Sequence, residues 1–330
     1  MCDQDNGARI TSHFQNSIYV EKIEDSKAAE WLANRNFVKF IEPRILRVFW
    51  QGDVDWWVAR KGESPICVWP ICIEGRRGLR PELTYWIGPV WLRNISGTSS
   101  LSLRSRVYRA FLDKFSENYD EIEFELCPEE LDVRIFDWYG NHEEHADVKI
   151  LPRYTARIDL KNVESIEQLM PKFSTLRRRE SRKLAEVNRT WKITSEFETS
   201  NAITLYSTTL SRQGIELRSS LEESIIGFTS LKNKDDTFFI CAQDSDTNAI
   251  IGLVGLLTNN YSANLVLNLM SEDARSEMIM TDLINLAISE SINKGICYFD
   301  FNGANSPNRA QHKHSFAAPE ALYFYIKIKW

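Results

Sequence analysis

The chain has only five histidines, and its six cysteines, at positions 2, 67, 72, 127, 241 and 297, form no CxxC pair and follow no repeating spacing. A disulfide framework and a cysteine-ligated metal site both need such spacing, so the thiols are expected to be buried and free in a reducing compartment. The one other close pair of candidate ligands, His142 and His145 in NHEEH, lacks the HExxH order, and no metal is expected. No stretch approaches the roughly 18 apolar residues of a membrane span. The amino terminus, MCDQDNGARITSHFQNS, lacks the apolar core of a signal peptide, which points to the cytoplasm. Gly-x-Ser-x-Gly elbows, Walker loops and dinucleotide fingerprints are all missing, leaving hydrolase, NTPase and dehydrogenase readings without a motif. Positive charge is in deficit too. With 40 Lys and Arg against 46 Asp and Glu the net charge is -6, so any anion must be caught by a local cluster rather than by the overall field.

What is present belongs to a folded protein of two domains. At 330 residues, 43% hydrophobic and 26% charged, the chain is long enough for two cores. Eight of its ten tryptophans precede residue 140, so the first half is built around aromatic walls. SIYVEKIE reads as a strand, SKAAEWLANR as a helix capped by Ser26, and VFWQGDVDWWVARKGESPICVWPICIEGRRG as a hairpin-rich sheet. ELTYWIGPVWL reads as a further strand, broken at Gly88-Pro89. In SLRSRVYRAFLDKFSENY, Leu103, Val107, Ala110, Phe111 and Phe115 share a helical face, and the strand EIEFELCP follows. The second half repeats the order. A basic helix from about Ser174 to Val187 precedes strands TFFICAQD, AIIGLVGLLTN and SANLVLNLM, a helix from about Ser276 to Lys294 and the strand ICYFDFNG. ALYFYIKIKW reads as an edge strand with alternating lysines. Two α/β domains of one design are expected, over residues 1–150 and 151–330.

Several residues carry chemistry. Asp300 lies between Phe299 and Phe301 in a strand, where an acid needs a reason; it serves either as the base for an incoming amine or as an anchor for the loop beyond Gly303. Asn302, Gly303 and Asn305 tolerate left-handed backbone and could expose amides to an oxyanion. Arg178 and Arg182 stand one helical turn apart, as do Arg179 and Lys183, so each pair offers a fork to phosphate or forms a solvated face. Tyr85 and Trp86 are either channel wall or core. Arg309, His312 and His314 fall in a polar loop beside Lys313, the histidines at surface or phosphate-contacting positions, or one of them serving as an alternative base titrating near neutrality.

The hairpin with TYWIGP, the PRYTARIDL that opens the second half, the RRRESRKLAE helix and the closing FDFNGANSPNRAQHKHSFAA arrive in an order that resembles the FemAB-like branch of the GNAT acyltransferase superfamily, from about Ser17 to the end. The resemblance implies an α/β (α+β) fold of two tandem GNAT-like domains, each a mixed, mostly antiparallel sheet flanked by helices, with the acyl-transfer site in the second domain or at its boundary with the first. It implies transfer of an acyl group from acyl-CoA, a co-substrate rather than a tightly bound cofactor, to the amine of a small metabolite such as a nucleotide-linked amino sugar or an amino acid. Aminoacyl transfer from charged tRNA onto a peptidoglycan precursor is the runner-up, and nucleic-acid binding or an assembly role without catalysis are further alternatives. Lys313, three residues before Phe316, matches the family's lysine that faces the transferred carbonyl or a carrier phosphate, and the arginine helix is implied to meet phosphates. Two departures stand out. Ser271 to Met278, where a pyrophosphate loop would fall, has no glycine, and Ala317 stands where the family commonly has one.

Overall fold

The computed structural model describes residues 18–33, 39–94, 99–142, 146–186, 189–211, 214, 216–272, 274 and 278–330. The first half runs β1 (Ile18–Ile23), α1 (Asp25–Leu32), α2 (Pro43–Phe49), β2 (Asp53–Lys61), β3 (Ser64–Glu74), β4 (Arg77–Leu79), β5 (Val90–Trp91), α3 (Ser99–Asn118), β6 (Glu121–Leu126) and α4 (Arg134–His142), and β7 (Asp147–Asp159) crosses from the first half into the second. The second runs α5 (Thr175–Glu186), β8 (Trp191–Thr194), α6 (Thr199–Ser211), α7 (Ser219–Ser230), β9 (Thr237–Asp244), β10 (Ile250–Thr258), β11 (Ser262–Met270), α8 (Ile279–Asn293), β12 (Tyr298–Asp300), α9 (Pro307–His314) and β13 (Glu320–Lys329).

All these strands join one 13-stranded sheet in the order β1-β2-β3-β4-β6-β13-β7-β12-β11-β10-β9-β8, with β5 against β3. Every pairing is antiparallel except two, β4 with β6 and β11 with β12. Each parallel pair is linked by a helix, α3 in the first half and α8 in the second, so the halves repeat one βαβ crossover. Tandem repetition is thus visible in the topology although no residue-level repeat is visible in the sequence.

Several readings from sequence change. The segment ALYFYIKIKW is not an edge strand. β13 lies between β6 and β7, paired from Phe324↔Leu126 to Lys329↔Glu121 on one side and from Glu320↔Ala156 to Lys329↔Asp147 on the other. Its lysines are not there to block an edge; they face acids on β6, with Lys327 Nζ 2.7 Å from Glu121. ELTYWIGPVWL forms only the two-residue β5, because Leu83 and Trp86 take positive φ (59° and 57°) and turn the chain across the sheet. Val48 and Phe49 belong to α2, which Pro43 opens at its first turn. Helix α1 begins at Asp25 with no side-chain cap, so Ser26 lies within it. The polar stretch after Gly303 contains α9, again opened by a proline, Pro307.

Three apolar clusters hold the sheet. Trp57, Trp69, Phe111, Phe115 and Phe124 gather beneath α3 and α4, with Trp69 edge-on to Phe124 at 4.7 Å. Ile279, Leu283, Ile284, Phe299 and Phe316 gather around α8. The third cluster belongs to both halves: Phe40, Ile45 and Phe49 of the first pack with Ile225, Phe228 and Phe239 of the second. There Gly227 lets α7 approach the Val48 carbonyl so closely that a Cβ would sit 2.1 Å from the oxygen.

In the centre of the sheet the two faces differ sharply. Ile122, Phe124 and Leu126 of β6 and Ile326 and Ile328 of β13 face the aromatic core. Glu121, Glu123 and Glu125 alternate onto the opposite face, opposite Lys329, Lys327 and Tyr325. Burial raises the Glu121 carboxyl, but Lys327, Lys329 and Arg77 outweigh it and hold Glu121 down at about 2 from an ordinary 4.5. A folded value below the unfolded one stabilises above about pH 4.5 and loses that stability as pH falls toward 2. Glu121→Gln should therefore lower stability by about 1 kcal/mol at pH 7, allowing for solvent screening of its exposed partners, and the deficit should vanish by pH 2–3 in urea titrations.

Candidate active site at the junction of the two halves

Strands β11 and β12 stay paired only from Ser262↔Tyr298 to Asn264↔Asp300, and beyond that point they part. The chain continues beyond β12 along the same edge of β7, where Phe301 N donates to Ala156 O and Ala304 N to Tyr154 O. Asp300 sits at the point of parting and is fully buried. It accepts hydrogen bonds from the Thr155 hydroxyl, from Arg157 Nε at 2.9 Å and from the Asn302 amide at 2.8 Å. Arg157 continues to Glu129 Oε1 at 2.5 Å and lies between the rings of Trp86 and Tyr298, 5.5 and 5.1 Å from their centres. Burial opposes the charge on Arg157, but Asp300 and then Glu129 more than offset it and raise its pKa. Glu129 in turn is lowered, Arg157 overcoming the cost of burial.

Lys313 arrives from α9. Its Nζ donates to three successive carbonyls, Phe301 at 3.0 Å, Gly303 at 2.6 Å and Asn302. An ammonium has three donors, and these carbonyls engage them. Asn302 is buried at φ 51° with its side-chain amide on Leu265 O at 3.0 Å, bridging the gap between the parting strands. Asn305 Oδ1 accepts from Tyr154 N at 2.7 Å, and Gly303 bends at φ 36°. Asp300 and Lys313 thus brace the segment 301–305 from opposite ends. Among the described residues, the Gly303 amide donates to nothing.

The first half supplies the opposing wall. Tyr85 lies against Gly303, where a Cβ would come within 3.2 Å of its hydroxyl. That hydroxyl has no hydrogen-bond partner among the described residues, and burial pushes it up to about 12. Trp86 is buried, with its backbone N–H on Glu125 Oε2 at 2.9 Å and its ring edge-on to Tyr323. Glu125 is itself buried and pushed up, burial outweighing Arg80, Nε 3.6 Å away, and the Trp86 N–H. Tyr85, Trp86, Asp300, Asn302, Gly303, Asn305 and Lys313 are therefore brought together.

The arginine helix and α9 are placed differently. Arg178, Arg179 and Arg182 are exposed on α5, with only long contacts such as Arg178 Nη2 to Thr175 Oγ1 at 3.3 Å. Arg177, which sequence reasoning passed over, is the inward member. It binds Glu180, Thr281 and Ser315 and lies 4.9 Å over the Phe316 ring. His312 is half-buried against Phe316. Burial, with repulsion from Arg177 and Lys313, lowers it to about 4, so it is a neutral ring at pH 7. His314 contacts Ala318 O. The Arg309 side chain, His145 and residues 273 and 275–277 lie outside the described residues.

Sequence reasoning also missed Arg80, Glu125, Glu129, Arg157 and Tyr323. The alternation in EIEFELC and YFYIKIK shows that acids and phenols share a face, but only the pairing of β6 with β13, some 200 residues apart, shows that it is one face. Among the described residues no cluster of three metal-binding side chains occurs, and no helix is long and apolar enough to cross a membrane. Cys67, Cys72 and Cys241 are buried free thiols, and burial raises all three.

In fold the chain is similar to solved tandem GNAT proteins and to FemX. FemX matches over 93% of this chain and 96% of its own at TM-score 0.61 and 10% identity. A tandem GNAT protein from the clavulanic acid biosynthesis pathway, determined without acetyl-CoA, matches over 94% and 98% at TM-score 0.52 and 11% identity. L-PGS from Bacillus licheniformis matches over 92% and 91% at TM-score 0.51 and 13% identity. No protein-family model matches the sequence, and no curated protein does.

Two substitutions test the bracing. Asp300→Asn removes the buried partner of Arg157 and should cost about 3 kcal/mol in urea unfolding. Ala317 holds φ 58°, a conformation that costs a residue with a Cβ about 1 kcal/mol; Ala317→Gly should raise the unfolding midpoint.

Proposed function

We propose that the protein is an N-acyltransferase that moves an acyl group from an acyl-CoA-type carrier to the amine of a small metabolite, such as a nucleotide-linked amino sugar or an amino acid, in surface-polysaccharide or cell-envelope biosynthesis. The observation that carries this reading is the meeting of Gly303 and Tyr85 where β11 and β12 part. Gly303 and Tyr85, from different halves of the chain, lie against each other, and among the described residues neither the Gly303 amide nor the Tyr85 phenol has a hydrogen-bond partner. Together they form a pair of donors for the oxygen of a carbonyl under attack.

The mechanism is mainly one of positioning. The thioester carbonyl is held against Gly303 and Tyr85, and the neutral amine attacks its carbon. The C–N bond forms, the C–S bond breaks, and the proton lost by nitrogen balances the thiol that leaves. Asp300 and Lys313 act through segment 301–305. The carboxylate takes the Asn302 N–H and the ammonium takes three carbonyls, which fixes the Gly303 amide without either group reaching the reacting atoms. The second reading, aminoacyl transfer from charged tRNA, is favoured by the exposed Arg178, Arg179 and Arg182, a ready surface for phosphates.

Purified protein incubated with acetyl-CoA and a panel of amines, including UDP- and dTDP-amino sugars, should release free thiol. Transfer from charged tRNA but not from CoA would replace the first reading with the second. RNA binding without transfer from either carrier would leave a binding protein. Tyr85→Phe should lower kcat about 100-fold with little change in folding, as expected for loss of one oxyanion donor.

A further inference from the structure

Half-buried arginines in this protein follow a rule. Arg60, Arg80, Arg104, Arg109, Arg157 and Arg177 each have a carboxylate within 4.0 Å, on Glu21, Glu125, Glu130, Asp113, Asp300 and Glu180. A guanidinium taken partly out of water needs such a partner to offset its lost hydration. Arg153 is the exception. It is half-buried on β7, and among the described residues no carboxylate lies within 4.0 Å of it. Its contact is the Tyr325 ring, 6.0 Å from the guanidinium carbon.

The position of Arg153 gives the exception meaning. Its register partner on β13 is Tyr323, whose hydroxyl lies 3.4 Å from Asn305 Nδ2 on the braced segment. Arg153 shares the polar face of the central sheet with Glu125, Tyr323, Tyr325 and, two residues along β7, Thr155. Glu125, an acid on this face, is turned to other donors, with one oxygen on the Trp86 N–H and the other toward Arg80. It feels the charge of Arg153 without pairing with it. A guanidinium without a carboxylate partner among the described residues therefore stands beside Tyr323, whose hydroxyl meets the same segment, 301–305, that packs against Tyr85.

We propose that Arg153 is the anion-binding residue of the acceptor subsite, and that the acceptor carries an oxyanion, a carboxylate or a phosphate, within a few bonds of its reactive amine. This deepens the acyl-transfer reading and rests on it for the word acceptor. The anion would complete on Arg153 the pair that each of the other half-buried arginines already has. The Tyr323 hydroxyl, which accepts from Asn305, adds a donor, and the amine is left directed at the junction of the two halves. The exposed arginines of α5 are not part of this subsite, because they sit on a solvated helix face and none lies on the central sheet.

Matched amines test the proposal: glucosamine 6-phosphate against glucosamine, and glutamate against propylamine, read both as thermal stabilisation and as thiol release from acetyl-CoA. The wild-type protein should respond to at least one anionic member at tenfold lower concentration than to its neutral match, and which member does so separates phosphate from carboxylate. Arg153→Gln, which breaks no ion pair and so should melt at the wild-type temperature without ligand, should erase that preference. Arg178→Gln/Arg182→Gln should keep it. The proposal is overturned if the wild type shows no preference for either anion, or if Arg153→Gln retains it. Preference in the binding signal without any thiol release would leave the subsite standing and remove the acyl-CoA reading instead.

Discussion

The buried ion network of Asp300, Arg157 and Glu129 is the constraint on which the centre of the molecule depends. Each charge belongs to a different stretch of chain: the end of β12, the last residues of β7 and the turn after β6. Alone, any of them would be costly to bury, and together they fix how the two halves of the sheet meet. The aromatic rings on either side of Arg157 complete its enclosure with a cation–π contact on each face. Segment 301–305, Tyr85 and Trp86 all take their places relative to this network.

Elements with a strong local period were legible in the sequence: α3, α5, β2, β3 and the strands β9 to β11 lie close to where their patterns put them. What failed was context. The alternating lysines of β13 look like edge protection, but acids of β6 neutralise them, and those acids are remote in sequence. The 82–89 segment has the residues of a strand and the dihedrals of a loop, because two non-glycine residues hold left-handed conformations that no local preference favours.

The site was half legible for the same reason. Asp300, Gly303 and Lys313 stand out within twenty residues, and the structure brings them together. The partners that give them meaning, Thr155, Arg157 and Tyr85, come from other strands and loops. The basic run 176–183 shows the opposite error, since its visible charges are solvated and the arginine that matters for packing, Arg177, looks like its neighbours. Charge patterning gives the number of cations on a helix; burial decides which of them is committed to the protein.

The placement of β13 has a consequence for how the chain is made. During synthesis β6 and β7 are available long before residues 320–329, yet neither can complete its hydrogen bonding until that strand slots between them. The first half therefore leaves the ribosome with two unpaired strand edges flanking a gap, and folding of the aromatic core must await a partner some 200 residues downstream. Such a chain is exposed to premature pairing with its own copies until the gap is filled.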